Sequence, residues 1–267
     1  MMRVLLHPGF HKTGTTTAQD FLYANRKLIW PRAALVLPWR LGALEAAVFA
    51  AAFDRADASL AAVTAEMAAV LADLDLGPRR TILVSCENLL GEMPRGTGHA
   101  PYPFAAPILR AVLAAFQALP WPVEVTVHLS LRDQAAWEES VWAHQVRKTA
   151  QIVPFTEDLA PFRARLSRVP LAEQVARLQK GVRGVHFDIR DLAALSAAPF
   201  GPAQPFVDFL RLSRAQMAEF ALPVPANAAP PRAVTEQLLE LNRTLTDDRA
   251  LAQAKRALLA GPAPAAD

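Results

Sequence analysis

Near the N-terminus the chain reads Leu5-Leu6-His7-Pro8-Gly9-Phe10-His11-Lys12-Thr13-Gly14-Thr15-Thr16-Thr17. These residue types in this order suit the binding of an anion. Gly9 and Gly14 let the backbone turn its N–H groups inward around a phosphate-sized group. A helix opening at Thr15 adds unpaired donors and the positive end of its dipole. Lys12 brings a cation, and the hydroxyls of Thr13, Thr15, Thr16 and Thr17 can donate to further oxygens. Ala18, Phe21 and Leu22 follow at helical spacing and would pin that helix to a sheet. The nucleoside-triphosphate loop, G-x-x-x-x-G-K-[ST], shares the glycine spacing. It needs its lysine after the second glycine, however, whereas this chain has Thr15 there and Lys12 earlier.

The run Gly9-Phe10-His11-Lys12-Thr13-Gly14-Thr15-Thr16-Thr17, with its lysine in mid-loop, resembles the 5′-phosphosulfate loop of the sulfotransferases. A second stretch, His128-Leu129-Ser130-Leu131-Arg132-Asp133-Gln134-Ala135-Ala136-Trp137-Glu138-Glu139-Ser140, is similar to the family's 3′-phosphate motif. There an arginine ends a strand and a serine follows eight positions later, as Arg132 and Ser140 do. The spacing is physically sensible: Asp133 can cap the helix, and Ser140 then lies roughly 10 Å along its axis. A guanidinium can span that distance and fork onto phosphate oxygens. A weaker likeness covers His186 to Leu192, and Asn227 matches loosely. The Arg-Lys-Gly motif of the cytosolic branch is not evident, so the likeness is to the bacterial and carbohydrate-type branches. It implies a three-layer P-loop α/β fold with a central, mostly parallel sheet flanked by helices. It also implies 3′-phosphoadenosine 5′-phosphosulfate (PAPS) as donor, PAP as product, and a small-molecule or glycan acceptor bearing a hydroxyl or amine.

Sulfuryl transfer moves a group with less charge than a phosphoryl group, so no metal is expected. The tasks are in-line geometry, a base for the acceptor and a cation at the leaving oxygen. Lys12 suits the cation role, while His11 is placed to touch the phosphosulfate. Glu87 follows an apolar strand and should emerge on the edge where parallel sheets bind ligands. The carbohydrate-type branch uses a glutamate base in a similar S-x-E setting. Glu87 is therefore the first candidate base, with a structural carboxylate or a metal residue as its alternatives. His99 is the second candidate base, and Gly91 to Phe104 a candidate acceptor lid. Two alternatives to the sulfotransferase remain: a P-loop kinase with a degenerate lysine position, and an inactive nucleotide-binding relative.

These residues need a sheet to position them. Strands are expected at Arg3–Leu6, Ala34–Leu37, Thr81–Cys86, Pro122–Leu131 and Val182–Ile189. Helices are expected at about Thr15–Lys27, Leu41–Asp54, Ala58–Leu74 and Ala233–Leu259, and His128 reads as a satisfied core residue. Alternation of strand and helix is the mark of a parallel α/β domain. Residues 1–260 are expected to form one domain, with 261–267 a flexible tail.

Composition sets the outer limits. The 267 residues are 52% hydrophobic and 20% charged, which is enough for a core and excludes disorder throughout. A net charge of +3 is too small for a nucleic-acid coat. The single cysteine, Cys86, forms no internal disulfide and completes no metal motif. No apolar run is long and uncharged enough for a membrane span, and the start lacks the marks of a signal peptide. A cytoplasmic protein is the expectation.

Overall fold

The computed structural model describes residues 1–77, 80–95, 101–149, 153–166, 168–222 and 230–260. His99, Asn227, the centre of the Gly91–Phe104 segment and the tail 261–267 lie outside them. In chain order the first elements are β1 (Met2–His7), α1 (Thr15–Ala24), α2 (Arg26–Ile29), β2 (Ala33–Val36), α3 (Gly42–Asp54), α4 (Asp57–Ala72) and β3 (Thr81–Ser85). There follow α5 (Ala105–Gln117), β4 (Val123–Leu131), α6 (Gln134–Arg147), α7 (Leu159–Leu166), α8 (Leu171–Gly181) and β5 (His186–Asp191). The last are α9 (Leu192–Ser196), α10 (Gln204–Leu210), α11 (Arg214–Ala218), α12 (Arg232–Thr244) and α13 (Asp248–Ala260). Short 3₁₀ turns occupy Pro38–Arg40, Glu87–Leu90 and Gly201–Ala203.

The chain divides into two compact units. The first comprises Met1–Met93, Ala100–Arg132 and Val169–Ala226. It holds the five strands found among the described residues, all parallel, in the order β2-β3-β1-β4-β5. A parallel sheet must be covered on both faces, and helices flank this one. Register places Leu5 opposite Leu83 and Leu83 opposite Leu35. That row joins Phe21 and Leu22 of α1 and Phe206 of α10 in one core cluster. Met2, Val4, Leu6, Ile82, Val84 and Val127, on the alternate face, are fully buried too. The fold class is the expected three-layer α/β arrangement.

Several boundaries differ from expectation, each for a local reason. The helix expected to run from Thr15 to Lys27 breaks at Asn25. The Asn25 amide donates to the carbonyls of Phe21 and Ala221, both at 3.0 Å, offering the backbone a non-helical partner. Strand β5 starts at His186, not Val182, because the Val182 N–H closes the end of α8 on the Leu178 carbonyl at 2.8 Å. Gly184, at φ +76°, then turns the chain before it extends. The C-terminal helix is two helices, and Asp247 caps the second by accepting from the Ala250 N–H at 2.7 Å.

The second unit comprises Pro94–His99, Asp133–Arg168 and Asn227–Asp267. Among its described residues α6 packs on α7 and α12, and α12 on α13. Asp133 caps α6 as expected, accepting from the Ala136 N–H at 2.9 Å. Trp137 and Trp142 are core residues, and Phe162 of α7 and Leu238 of α12 are fully buried as well. At the other end of α6, Lys255 Nζ donates to the Val146 and Lys148 carbonyls at 2.8 and 2.9 Å. The ammonium thus meets carbonyls that the helix leaves unpaired, at its negative end. Burial holds that amine down at about 8. Among the described residues, no helix is long and apolar enough to cross a membrane.

Candidate anion-binding site

Pairing of β1 with β3 and β4 dictates which segments meet at the sheet's C-terminal edge. His7 lies opposite Ser85, and the Cys86 N–H continues the ladder to the His7 carbonyl at 3.0 Å. The loop after β1 and Glu87 therefore emerge side by side. A Cβ placed on Gly9 would lie 3.7 Å from the Glu87 Cα and only 2.7 Å from Thr15 Cγ2. Glycine is required there for close approach as well as for its φ of +53°.

The loop itself carries left-handed residues at Gly9, Lys12 (φ +67°) and Gly14 (φ +90°). Lysine is an uncommon occupant of that region, and strain of this kind gathers at functional sites. Thr13 is fully buried, and its hydroxyl donates to the Phe10 carbonyl at 2.6 Å, closing the turn from within. Helix α1 then begins at Thr15, and its first internal bond runs from the Ala18 N–H to the Gly14 carbonyl at 3.2 Å. Gly14, the N-cap, has no side chain with which to cap the N–H groups of Thr15, Thr16 and Thr17. A Cβ at Gly14 would also meet Leu192 and Pro202 at 2.8 and 3.0 Å. Thr15 is buried, Thr17 half-buried and Thr16 exposed.

His11 serves the loop's own structure. Its Nε2–H donates to Asn88 Oδ1, so Nδ1 accepts from the Tyr102 hydroxyl, which in turn accepts from the His11 backbone N–H, all at 3.0 Å. Burial lowers the imidazole's proton affinity, and that neutral tautomer satisfies both ring nitrogens. The ring of Tyr102 stacks parallel to His11 and touches Phe10. Asn88 and Tyr102 thereby tie the loop to the turn after β3 and to the segment before α5.

Arg132 follows β4, which runs beyond its last partner on β1. Its Nη1 donates to the Lys12 carbonyl at 3.3 Å. The N-terminal loop and the second sequence motif thus meet in the first unit. Ser140, mostly buried, belongs to α6 in the second unit. The first unit therefore assembles Gly9, His11, Lys12, Thr13, Gly14, Thr15, Thr16, Thr17, Glu87 and Arg132.

Beneath the loop runs a row of buried polar groups that sequence reasoning missed. Gln19 Nε2 donates to Glu87 Oε2 at 2.8 Å and to Ser85 Oγ at 3.4 Å, and Ser85 Oγ meets His7 Nδ1 at 2.9 Å. The His7 ring lies 5.0 Å from that of His128. Burial first, and His128 second, drive the His7 proton affinity well down. His128 Nδ1–H donates to Asp188 Oδ2 at 3.0 Å and Nε2 meets Ser130 Oγ at 3.2 Å, so it is the satisfied core residue expected. The only signal in the sequence was polarity: Gln19 interrupts an apolar helix face, and His7 and His128 interrupt buried strands.

Asp188 anchors the far end of the row. Burial pushes its carboxyl up, but hydrogen bonds from His128 and Arg190 outweigh this and hold it at about 2. A carboxyl depressed below its unfolded value stabilises the fold fully above that unfolded value, and the contribution disappears as pH falls through the folded one. Denaturant unfolding should therefore show about 2 kcal/mol lost between roughly pH 4 and pH 2. Asp188→Asn should remove that acid limb.

Compared with protein-family models, curated proteins and solved structures, the chain matches none. Its functional reading rests on its own residues.

Proposed function

We propose that the chain is a sulfotransferase that moves a sulfuryl group from PAPS to a hydroxyl or amine acceptor. The observation that carries this reading is the hydrogen bond from Arg132 to the Lys12 carbonyl, which joins two motifs far apart in sequence. Around it stand the uncapped start of α1 and the left-handed loop, a cradle for the 5′-phosphosulfate. Lys12 neutralises the 5′-phosphate as it departs. Glu87 takes the proton of the acceptor as the new bond to sulfur forms. The bond between sulfur and the phosphate oxygen breaks, and PAP leaves with that electron pair. Arg132 recognises the 3′-phosphate, and Ser140 is the serine that the family resemblance pairs with it. A carbohydrate acceptor is in keeping with the glutamate base, and the activity belongs in the cytoplasm, where no disulfide is called for.

Calorimetry with PAP and ATP side by side tests the donor class. PAP should bind more tightly; equal or tighter ATP binding, or magnesium-dependent phosphate transfer from ATP, would favour the kinase reading. PAP binding without sulfated product would mark an inactive relative. Within the site, Arg132→Ala should weaken PAP by about 10- to 100-fold while scarcely affecting adenosine 5′-phosphate, since a forked charge-assisted contact is lost.

A further inference from the structure

The Glu87 carboxylate does not stand alone in the fold. Gln19 lies on α1 four residues after Thr15, on the same helix face, and is 8% exposed. One nitrogen of its amide faces two oxygens, Glu87 Oε2 and Ser85 Oγ. An ionised carboxylate accepts and cannot donate, so the amide must present its N–H groups on this side. Ser85 Oγ accepts the second of them, and its contact with His7 Nδ1 at 2.9 Å runs in the direction that the imidazole tautomer sets. Both bonds from the Gln19 nitrogen therefore point outward from the amide, to Glu87 and to Ser85. Of the two partners of that nitrogen, Ser85 is wholly enclosed and so fixes where the amide sits.

We infer that Gln19 is a positioning residue for Glu87: it holds Oε2, leaving Oε1 to take the acceptor's proton. This rests on the sulfotransferase reading with Glu87 as base. A glutamate side chain has three rotatable bonds, and freezing it before the acceptor arrives removes part of the ordering otherwise needed in the transition state. The same helix carries the donor-facing amides of Thr15 to Thr17 at its start. Donor cradle and base are therefore referenced to one rigid element.

Turnover of sulfur-radiolabelled PAPS by the full chain, with an extract of the source organism as acceptor mixture, tests this through a double-mutant cycle. Gln19→Met keeps the length of the side chain and Gln19→Leu provides a second version should the first fold poorly. Each should lower kcat about tenfold, the loss expected of one hydrogen bond to a charged group, with the KM for PAPS and the affinity for PAP unchanged. In a Glu87→Gln background the same substitution should cost nothing further, because it acts only through the carboxylate. An equal loss in both backgrounds, or a parallel loss of PAP affinity, overturns the role of Gln19 alone. A wild-type chain that binds no PAP and makes no labelled product overturns the sulfotransferase reading, and the positioning role with it.

Discussion

Glu87→Gln is expected to reduce turnover by about 10²- to 10⁴-fold, the usual worth of general-base assistance, while leaving PAP affinity nearly intact. The separation follows from where the residue sits. Glu87 opens the 3₁₀ turn after β3, half-buried, with its Cα close against Gly9 and its carboxylate fixed by Gln19. It is beside the loop but supplies none of the loop's donors. Glutamine keeps the size of the side chain and an oxygen to accept from Gln19, and removes the charge and the basicity needed to take a proton from a reacting hydroxyl. Single-turnover measurement with radiolabelled PAPS, beside PAP calorimetry, distinguishes the outcomes. Retained turnover would move the base elsewhere, and His99 is the next residue to replace. A large loss of PAP affinity would make Glu87 a structural carboxylate.

Lys12 should behave differently, because charge and backbone can be separated there. Its φ of +67° suits glycine better than any other residue. Lys12→Gly should therefore unfold with a free energy within about 1 kcal/mol of wild type, relief of left-handed strain offsetting the extra chain entropy. The same variant should lose about 10²- to 10³-fold in kcat, as when a group stabilising transition-state charge is removed. Lys12→Ala should lose as much activity and also retain the strained backbone. Denaturant titration and turnover on the pair give the two readings. A Lys12→Gly protein with near-normal turnover would exclude the lysine from the chemistry.

The elements that carry the site were largely legible in the sequence, for physical reasons. Val4 to Leu6 and Ile82 to Val84 are apolar because both faces of a parallel sheet are covered, and that pattern is visible without a fold. Gly9 and Gly14 advertise backbone geometry that few residue types permit. What was hidden depends on contacts between distant segments. Tyr102 meets His11 across 91 positions, and Gln19 meets Glu87 across 68. No local spacing encodes either. His11 adds an example: its place in the motif gives no sign of the hydrogen bonds its ring makes to Asn88 and Tyr102. Asn25 and Gly184 show the same limit at element ends, where one side chain or one turn overrides periodicity.

The central position of β1 has a consequence for how the site opens. Native proteins unfold locally from their edges, and the last amides to exchange with solvent belong to the interior strands. Here the loop hangs from the strand with neighbours on both sides, β3 and β4, while the edge positions fall to β2 and β5. Its root can come apart only when the sheet itself does. The cradle should consequently exist before any ligand arrives, with little of the binding energy diverted to ordering it. Whatever adaptation a ligand requires must then come from outside the root of the loop.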